Sequence, residues 1–154
     1  MSQDPSTTIR PLRADDLDRV VAIDEKTLGR SRRAFYEKRL NTALTFPDSF
    51  IVVAAETDGE LSGFGIARIQ TGEFGEAGSA AVLDILGVDP DARHHGIGHQ
   101  VLAAIEDVMR RKDIHELRTQ ADWGATEMAG FMASVGFEMA PMVIMERGTD
   151  RRDF

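Results

Sequence analysis

The stretch from Ala80 to Lys112 constrains the fold of this chain more than any other part. Residues 80–88 form a nearly continuous apolar run, typical of a buried strand, in which Asp84 is the one ionisable residue. Apolar residues then recur at helical spacing, at Val101, Leu102, Ile105, Val108 and Met109. The pattern predicts a buried strand, a tight turn and a long amphipathic helix.

The turn carries two glycines, Gly96 and Gly98, shortly after Arg93. Glycine lets the backbone approach a ligand closely, and the first amides of a helix lack internal partners and attract anions. Arg93 adds a permanent positive charge. The turn therefore predicts a pyrophosphate site, although a glycine pair of this kind also suits a tight strand-to-helix turn without a ligand.

The remaining periodicity predicts the element order β-α-α-β-β-β-α-β-α-β, an α+β (mixed α/β) fold with a mostly antiparallel sheet flanked by helices. The predicted strands span residues 9–13, 50–55, 61–69, 80–88, 115–121 and 137–146. The predicted helices span residues 15–28, 31–44, 97–112 and 125–135, with Ser31 as a candidate cap. Asp58-Gly59 indicates a hairpin turn.

A length of 154 residues suits a single domain, predicted over residues 9–147, with residues 1–8 as a disordered lead-in and 148–154 as a tail. The net charge of −8 argues against binding to nucleic acid or to anionic membranes. The absence of cysteine excludes disulfides and cysteine-ligated zinc. No apolar segment reaches the length of a membrane span, so we expect a cytoplasmic chain.

Three motifs together resemble the GNAT superfamily of N-acetyltransferases. Residues 93–98 match its Arg/Gln-x-x-Gly-x-Gly/Ala motif, and residues 88–90 match the Val-x-Pro that often precedes it. Residues 131–137 match a second motif, Phe-Tyr-x-x-x-Gly-Phe, except at its tyrosine. The motifs fall in the expected strand and helix setting, and the resemblance covers residues 9–146.

The resemblance implies that acetyl-CoA is the cosubstrate and that no metal takes part. A bulge would splay the fourth strand from the fifth, and the pantetheine arm would lie in the gap. The position of the family's usual pantetheine-binding Asn holds Ala125, so that contact is expected from Glu127 or is absent. The residues assigned to the cofactor are Leu86, Gly87, Val88, Arg93, His94, His95, Gly96, Ile97, Gly98, His99, Glu127 and Phe131.

The resemblance also implies direct attack of an amine on the thioester, with a backbone amide near Val88 stabilising the oxyanion. Asp84 is the candidate general base, and strand alternation predicts that it shares a face with Leu86 and Val88. The alternative is a structural Asp84 bonded to an arginine or to a neighbouring loop.

The usual tyrosine acid of the family is replaced by Met132, which cannot donate a proton. Tyr36, the only tyrosine, is a weak candidate for that role, and a packing tyrosine is the alternative. Water can also protonate a thiolate, which is a tolerable leaving group near neutral pH.

Acceptor contacts are expected from variable loops in this family. The candidates are Arg30, Arg32, Glu73, Phe74, Asp122 and Trp123. Each has a plainer alternative, namely a solvated basic turn, a solvated loop or a packing tryptophan. The sequence thus predicts an N-acetyltransferase for a primary amine of a small molecule or a protein, with a non-catalytic acyl-CoA-binding sensor as the alternative. The apolar segment 139–145 suggests a possible homodimer interface.

Overall fold

The computed structural model describes residues 6–71, 79–92, 95–120 and 126–149. One five-stranded sheet has its strands in the spatial order of the chain, with three antiparallel pairings followed by a parallel one. Its strands are β1 (Thr7–Arg10), β2 (Phe50–Thr57), β3 (Glu60–Thr71), β4 (Ser79–Val88) and β5 (Glu116–Thr119). The helices are α1 (Leu17–Leu28), α2 (Arg33–Thr45), α3 (Ile97–Arg111) and α4 (Thr126–Ser134). The predicted fold class is therefore confirmed.

Residues 1–120 and residues 121–154 form two separate compact units. The first unit contains the whole sheet with α1, α2 and α3, and the second contains α4. No helix within the described ranges is long and apolar enough to cross a membrane.

Helices cover both faces of the sheet. Phe64 of β3 makes an edge-to-face contact with Tyr36 of α2, whereas a Cβ at the preceding or following residue, Gly63 or Gly65, would contact Val101 of α3. Since neighbouring side chains of a strand point to opposite faces, α2 and α3 lie on opposite sides. The inward side of α3 is buried as its periodicity predicts, through Ile97, Gly98, Val101, Leu102, Ile105 and Met109.

An ion pair ties β1 to the start of α1. Two guanidinium nitrogens of Arg10 donate to the Asp16 carboxylate at 2.7 and 2.8 Å, and the Arg13 amide donates to it at 2.7 Å. Burial by itself raises the pKa of Asp16, but these hydrogen bonds and the two arginine charges outweigh it and hold the pKa below its usual value.

Three local predictions were wrong. β1 begins at Thr7, inside the predicted lead-in, because Thr7 and Thr8 pair with Thr57 and Glu56. The N-cap of α2 is Arg32 rather than Ser31. Residues 137–146 form no strand, and the large apolar side chains from Met139 to Met145 are exposed whereas Phe137 is half-buried. A strand needs a hydrogen-bonded neighbour, and the second unit, as far as the structure describes it, offers only α4.

Candidate active site

A β-bulge places the Asp84 carboxylate. Ile66 of β3 pairs with Ile85 and the next residue, Ala67, pairs with Leu83, so Asp84 is an extra residue on β4. A bulge of this kind bends a strand and re-aims its side chains. The bulge that the family resemblance implied is present in β4, and it lies at Asp84.

Beyond the bulge, no described residue of β5 pairs with β4. The two strands pair only between Ala80–Leu83 and Glu116–Thr119, and the Thr119 hydroxyl donates to the Leu83 carbonyl at 3.1 Å. Residues 84–88 continue past that point, and no strand in the described ranges pairs with their outer edge. An edge of this kind is the type to which an extended ligand can add as a further strand.

The bulge changes which β4 side chains share a face. Asp84 and Ile85 both line a cavity on the α2 side of the sheet. Leu86 and Val88 pair with Gly65 and Gly63, the positions that abut α3. The prediction that Asp84 shares a face with Leu86 and Val88 was therefore wrong, because the extra residue interrupts the alternation.

This cavity has a volume of about 320 Å³, at the small end of the range of ligand pockets. Apolar side chains form part of its wall, and the charged side chains come from α2 and β4. The lining residues are Phe35, Lys38, Arg39, Thr42, Phe50, Ile66, Asp84 and Ile85.

Asp84 has one basic partner. The Arg68 Nε donates to Asp84 Oδ2 at 3.3 Å, and Oδ1 accepts no hydrogen bond from the described residues. The Asp84 side chain is 20% exposed, so the carboxylate is accessible from the cavity. An arginine partner is what a purely structural role of Asp84 predicts. The contact with Arg68 is a single long one, however, and it leaves Oδ1 for another group.

The start of α3 has the geometry of an anion site. Gly96 is the N-cap, with a left-handed φ of 73° that favours glycine, and no side chain caps the first turn. A Cβ on Gly96 would meet nothing within 4 Å, so the turn borders open space. Ile97 and Gly98 are buried, whereas His95 and His99 are exposed.

Gly87 of β4 lies directly under the ring of Phe64. A Cβ at this position would come within 2.4 Å of Phe64 Cζ. The absence of a side chain therefore lets the core aromatic ring pack against β4.

Asp89, the middle residue of the Val-x-Pro motif, is a buried acid for which the motif predicts no role. Its carboxylate accepts hydrogen bonds from Arg19 at 3.0 Å and Lys26 at 3.2 Å, both on α1, and from the Asp91 amide at 3.0 Å. Its own amide donates to the Ser62 carbonyl at 2.8 Å. Burial raises the pKa of Asp89, but these donors prevail and hold it below its usual value. Asp89 thereby fixes the loop that leads from β4 to the glycine turn.

Tyr36 and Arg32 are engaged within the protein. The buried Tyr36 hydroxyl donates to Asp24 Oδ1 at 2.9 Å, and Arg32 donates to both Asp24 oxygens at 2.6 and 2.9 Å. Burial, with the Asp24 charge, raises the pKa of Tyr36 well above its usual value. This geometry favours the packing alternative for Tyr36, and it commits Arg32 to an internal ion pair, whereas Arg30 is exposed.

Several predicted contacts lie outside the described residues, namely Glu73, Phe74, Arg93, His94, Asp122 and Trp123. The same holds for the side chain of Glu127. In α4, Phe131 is half-buried and Met132 is buried. The described ranges contain no group of three or more acidic or histidine side chains that could hold a metal ion.

The fold and the glycine turn define an acyltransferase-like site, and comparison with known proteins assigns the family. Residues 17–137 match the model of the Acetyltransferase (GNAT) family. This match covers well over half of the chain, which therefore belongs to the GNAT acetyltransferase family.

Two curated relatives are both called mycothiol acetyltransferase. The protein from Clavibacter sepedonicus is 32% identical over 117 residues, which cover 71% of this chain and 36% of the relative. The protein from Clavibacter michiganensis subsp. michiganensis (strain NCPPB 382) is 29% identical over 110 residues, with 68% and 33% coverage. The chain thus spans about a third of the length of these relatives.

Solved structures share the fold. The aminoglycoside N-acetyltransferase AAC(6')-Iy in complex with CoA superposes with a TM-score of 0.79 at 19% identity, covering 97% of this chain and 99% of the other. Glucosamine-6-phosphate N-acetyltransferase from Arabidopsis thaliana gives a TM-score of 0.72 at 16% identity, with 94% and 99% coverage.

Proposed function

We propose that this chain transfers the acetyl group of acetyl-CoA to a primary amine, with Asp84 as the general base. The observation that carries the proposal is the Asp84 carboxylate, at the bulge of β4, which lines a cavity next to the part of β4 whose outer edge has no partner strand in the described ranges. Membership of the GNAT family supports the reaction class. The names of the structural neighbours also specify N-acetyl transfer.

The residues present fit acetyl-CoA, which would supply the acetyl thioester. The backbone of residues 86–88 offers hydrogen-bonding groups along an unpaired edge, which suits the pantetheine arm. The amides of residues 96–99 start a helix at an uncapped glycine that borders open space, which suits a pyrophosphate. Asp89 holds the connecting loop between these two segments.

Asp84 would accept the proton that the ammonium form of the acceptor must lose before it can attack. Its Oδ1 has no hydrogen bond within the described residues and is available for this role. Arg68, on the other oxygen, would hold the carboxylate in position. A backbone amide near Val88 would donate to the carbonyl oxygen as negative charge develops there.

Among the described residues, no side chain is an evident acid for protonating the departing thiolate. Met132 replaces the usual tyrosine, and Tyr36 already donates its proton to Asp24. Protonation by water is the simplest course, because a thiol has a pKa of about 8.5 and is a tolerable leaving group near neutral pH.

The second candidate function is a non-catalytic acyl-CoA-binding sensor, which the substitution at Met132 favours. Incubation with acetyl-CoA and a panel of primary amines separates the two. Catalysis predicts thiol release together with an equal amount of acetamide product identified by mass. Saturable binding of acetyl-CoA without amine-dependent thiol release would establish the sensor instead. A homodimer and a cytoplasmic location stay predictions.

A further inference from the structure

Most basic side chains of the first unit contact a carboxylate. Those that do so are Arg10, Arg13, Arg19, Lys26, Arg32, Arg33, Arg68, Arg110 and Arg118. Lys38 and Arg39, consecutive residues of α2, form no ion pair with any residue in the described ranges. Both line the cavity that contains Asp84.

The charge of this cavity is opposite to that of the chain. Among the described lining residues Asp84 is the only acid, and its ion pair with Arg68 offsets that charge, so Lys38 and Arg39 are left in excess. The chain as a whole has a net charge of −8. A concentration of positive charge in a cleft of an acidic protein attracts anionic groups to that point.

A contact with an aromatic ring helps to keep the Arg39 charge at the cavity. The Arg39 guanidinium lies 5.2 Å from the centroid of the Phe35 ring, which itself lines the cavity. Cation–π contacts of this kind stabilise an arginine over a ring while its N–H groups remain available to a ligand. An anion bound there could receive charge-assisted hydrogen bonds from both α2 residues.

We propose that the acceptor is a small amine that also carries an anionic group, either a carboxylate or a phosphate. Lys38 and Arg39 bind the anionic group, and the amine lies beside Asp84. The volume of about 320 Å³ suits an acceptor of the size of an amino acid or a single sugar. This inference rests on the proposed function and adds the substrate class to it.

The test compares acceptor pairs that differ in the anionic group. β-Alanine is compared with propylamine, and phosphoethanolamine with ethanolamine, by initial rates of thiol release at saturating acetyl-CoA. We expect kcat/KM for the anionic member of at least one pair to be higher by about tenfold or more, chiefly through a lower KM. The carboxylate and phosphate arms show which anion the site prefers.

The double variant Lys38→Gln/Arg39→Gln should lower kcat/KM for the anionic acceptor by about tenfold. The ratio of kcat/KM between the anionic and the neutral amine of each pair should then be close to one. Its KM for acetyl-CoA should not change, which excludes a role of these residues in binding the cofactor phosphates. The matched control is Arg111→Gln/Lys112→Gln, which removes two exposed charges at the end of α3 and should keep the preference. Thermal midpoints verify that both variants fold.

A preference for the neutral amines, or a preference for anionic amines that survives Lys38→Gln/Arg39→Gln, would overturn this inference and leave acetyl transfer intact. A raised KM for acetyl-CoA in that variant, without loss of the preference, would also overturn it. Failure to acetylate any amine would remove the proposed function and the substrate class together.

Discussion

The proposed chemical role of Asp84 depends on its place in the sheet. Asp84 is the unpaired residue of the bulge, so it and the next residue, Ile85, lie on the same face of β4, and Arg68 from the neighbouring strand holds one of its oxygens. The proposed base is therefore specified by the pairing of β3 and β4 as much as by its own residue type.

Asp84→Asn tests the proposed base. The amide has nearly the same shape but cannot accept a proton, so kcat for amine acetylation should fall by about a hundredfold or more while the acceptor KM changes little. Steady-state rates of thiol release, with thermal midpoints as a folding check, make the comparison. Asp84→Glu, as the conservative control, should retain part of the rate. A kcat for Asp84→Asn within about threefold of the original would exclude Asp84 as the base.

Tyr36→Phe separates a structural tyrosine from a catalytic acid. Removal of the hydroxyl breaks its hydrogen bond to Asp24, while Arg32 remains on that carboxylate. We expect the free energy of unfolding to fall by about 1–2 kcal/mol and kcat to change by less than about threefold. Urea unfolding and steady-state rates measure the two effects. A large loss of kcat in a variant of unchanged stability would instead make Tyr36 the acid.

At the scale of the elements, the close contact of β4 with β3 predicts a strong effect of Gly87→Ala. The added methyl group would overlap the ring of Phe64, which is buried in the core. The free energy of unfolding should fall by about 1–3 kcal/mol, as measured by chemical denaturation. Gly130→Ala is the control, because its Cβ meets nothing within 4 Å and alanine favours the α4 helix, so its stability should be unchanged or higher. Equal stability of the two variants would show that the Phe64 ring can move away from the added methyl group without loss of stability.

Most elements could be predicted because their signals are local. The periodicity of α3 and the Asp58-Gly59 turn depend on neighbouring residues, and both are present. The register shift at Asp84 depends on where two strands pair, which periodicity does not encode. Lys38 and Arg39 are exposed helix residues by pattern, and only the packing of α2 beside β4 brings them to the cavity. Asp89 was missed because its partners on α1 are distant in the chain.

The segment 137–146 shows the limit of a pattern-based strand prediction. Its apolar residues are compatible with an extended chain, yet most of the large ones are exposed and none has strand pairing in the described ranges. Apolar composition favours burial but does not provide a strand to pair with. The glycine turn at the start of α3 was easier to predict, because a glycine N-cap is a local feature.

For the whole molecule, three carboxylates make stability depend on pH. The pKa values of Asp16, Asp24 and Asp89 are all lowered in the folded state by their hydrogen bonds and basic partners. The unfolded chain therefore binds protons more readily below about pH 5, and the free energy of unfolding should fall as the pH drops through about 4 and below. Stability from these groups is fully present at neutral pH.

Asp89→Asn isolates one of these contributions. Without a titrating carboxylate facing Arg19 and Lys26, the variant should be less stable at neutral pH by about 1–2 kcal/mol and lose less stability on acidification. Denaturant unfolding at a series of pH values from about 7 to about 3 gives the free energy of unfolding as a function of pH for the variant and for the original chain. Parallel curves for the variant and the original chain would contradict a role for Asp89 in the acid dependence.

The extra residue at Asp84 interrupts the alternation of side chains along β4, so the residues before and after it follow opposite patterns. Downstream, odd-numbered positions such as Ile85 and Gly87 face α2, whereas upstream the even-numbered Val82, paired with Arg68, does so. A gain or loss of one codon in this strand would move the boundary and exchange the faces of every residue that it crosses. The set of side chains that share the α2 face with Asp84 could therefore change through a single-residue insertion or deletion, with no change of residue type at any other position.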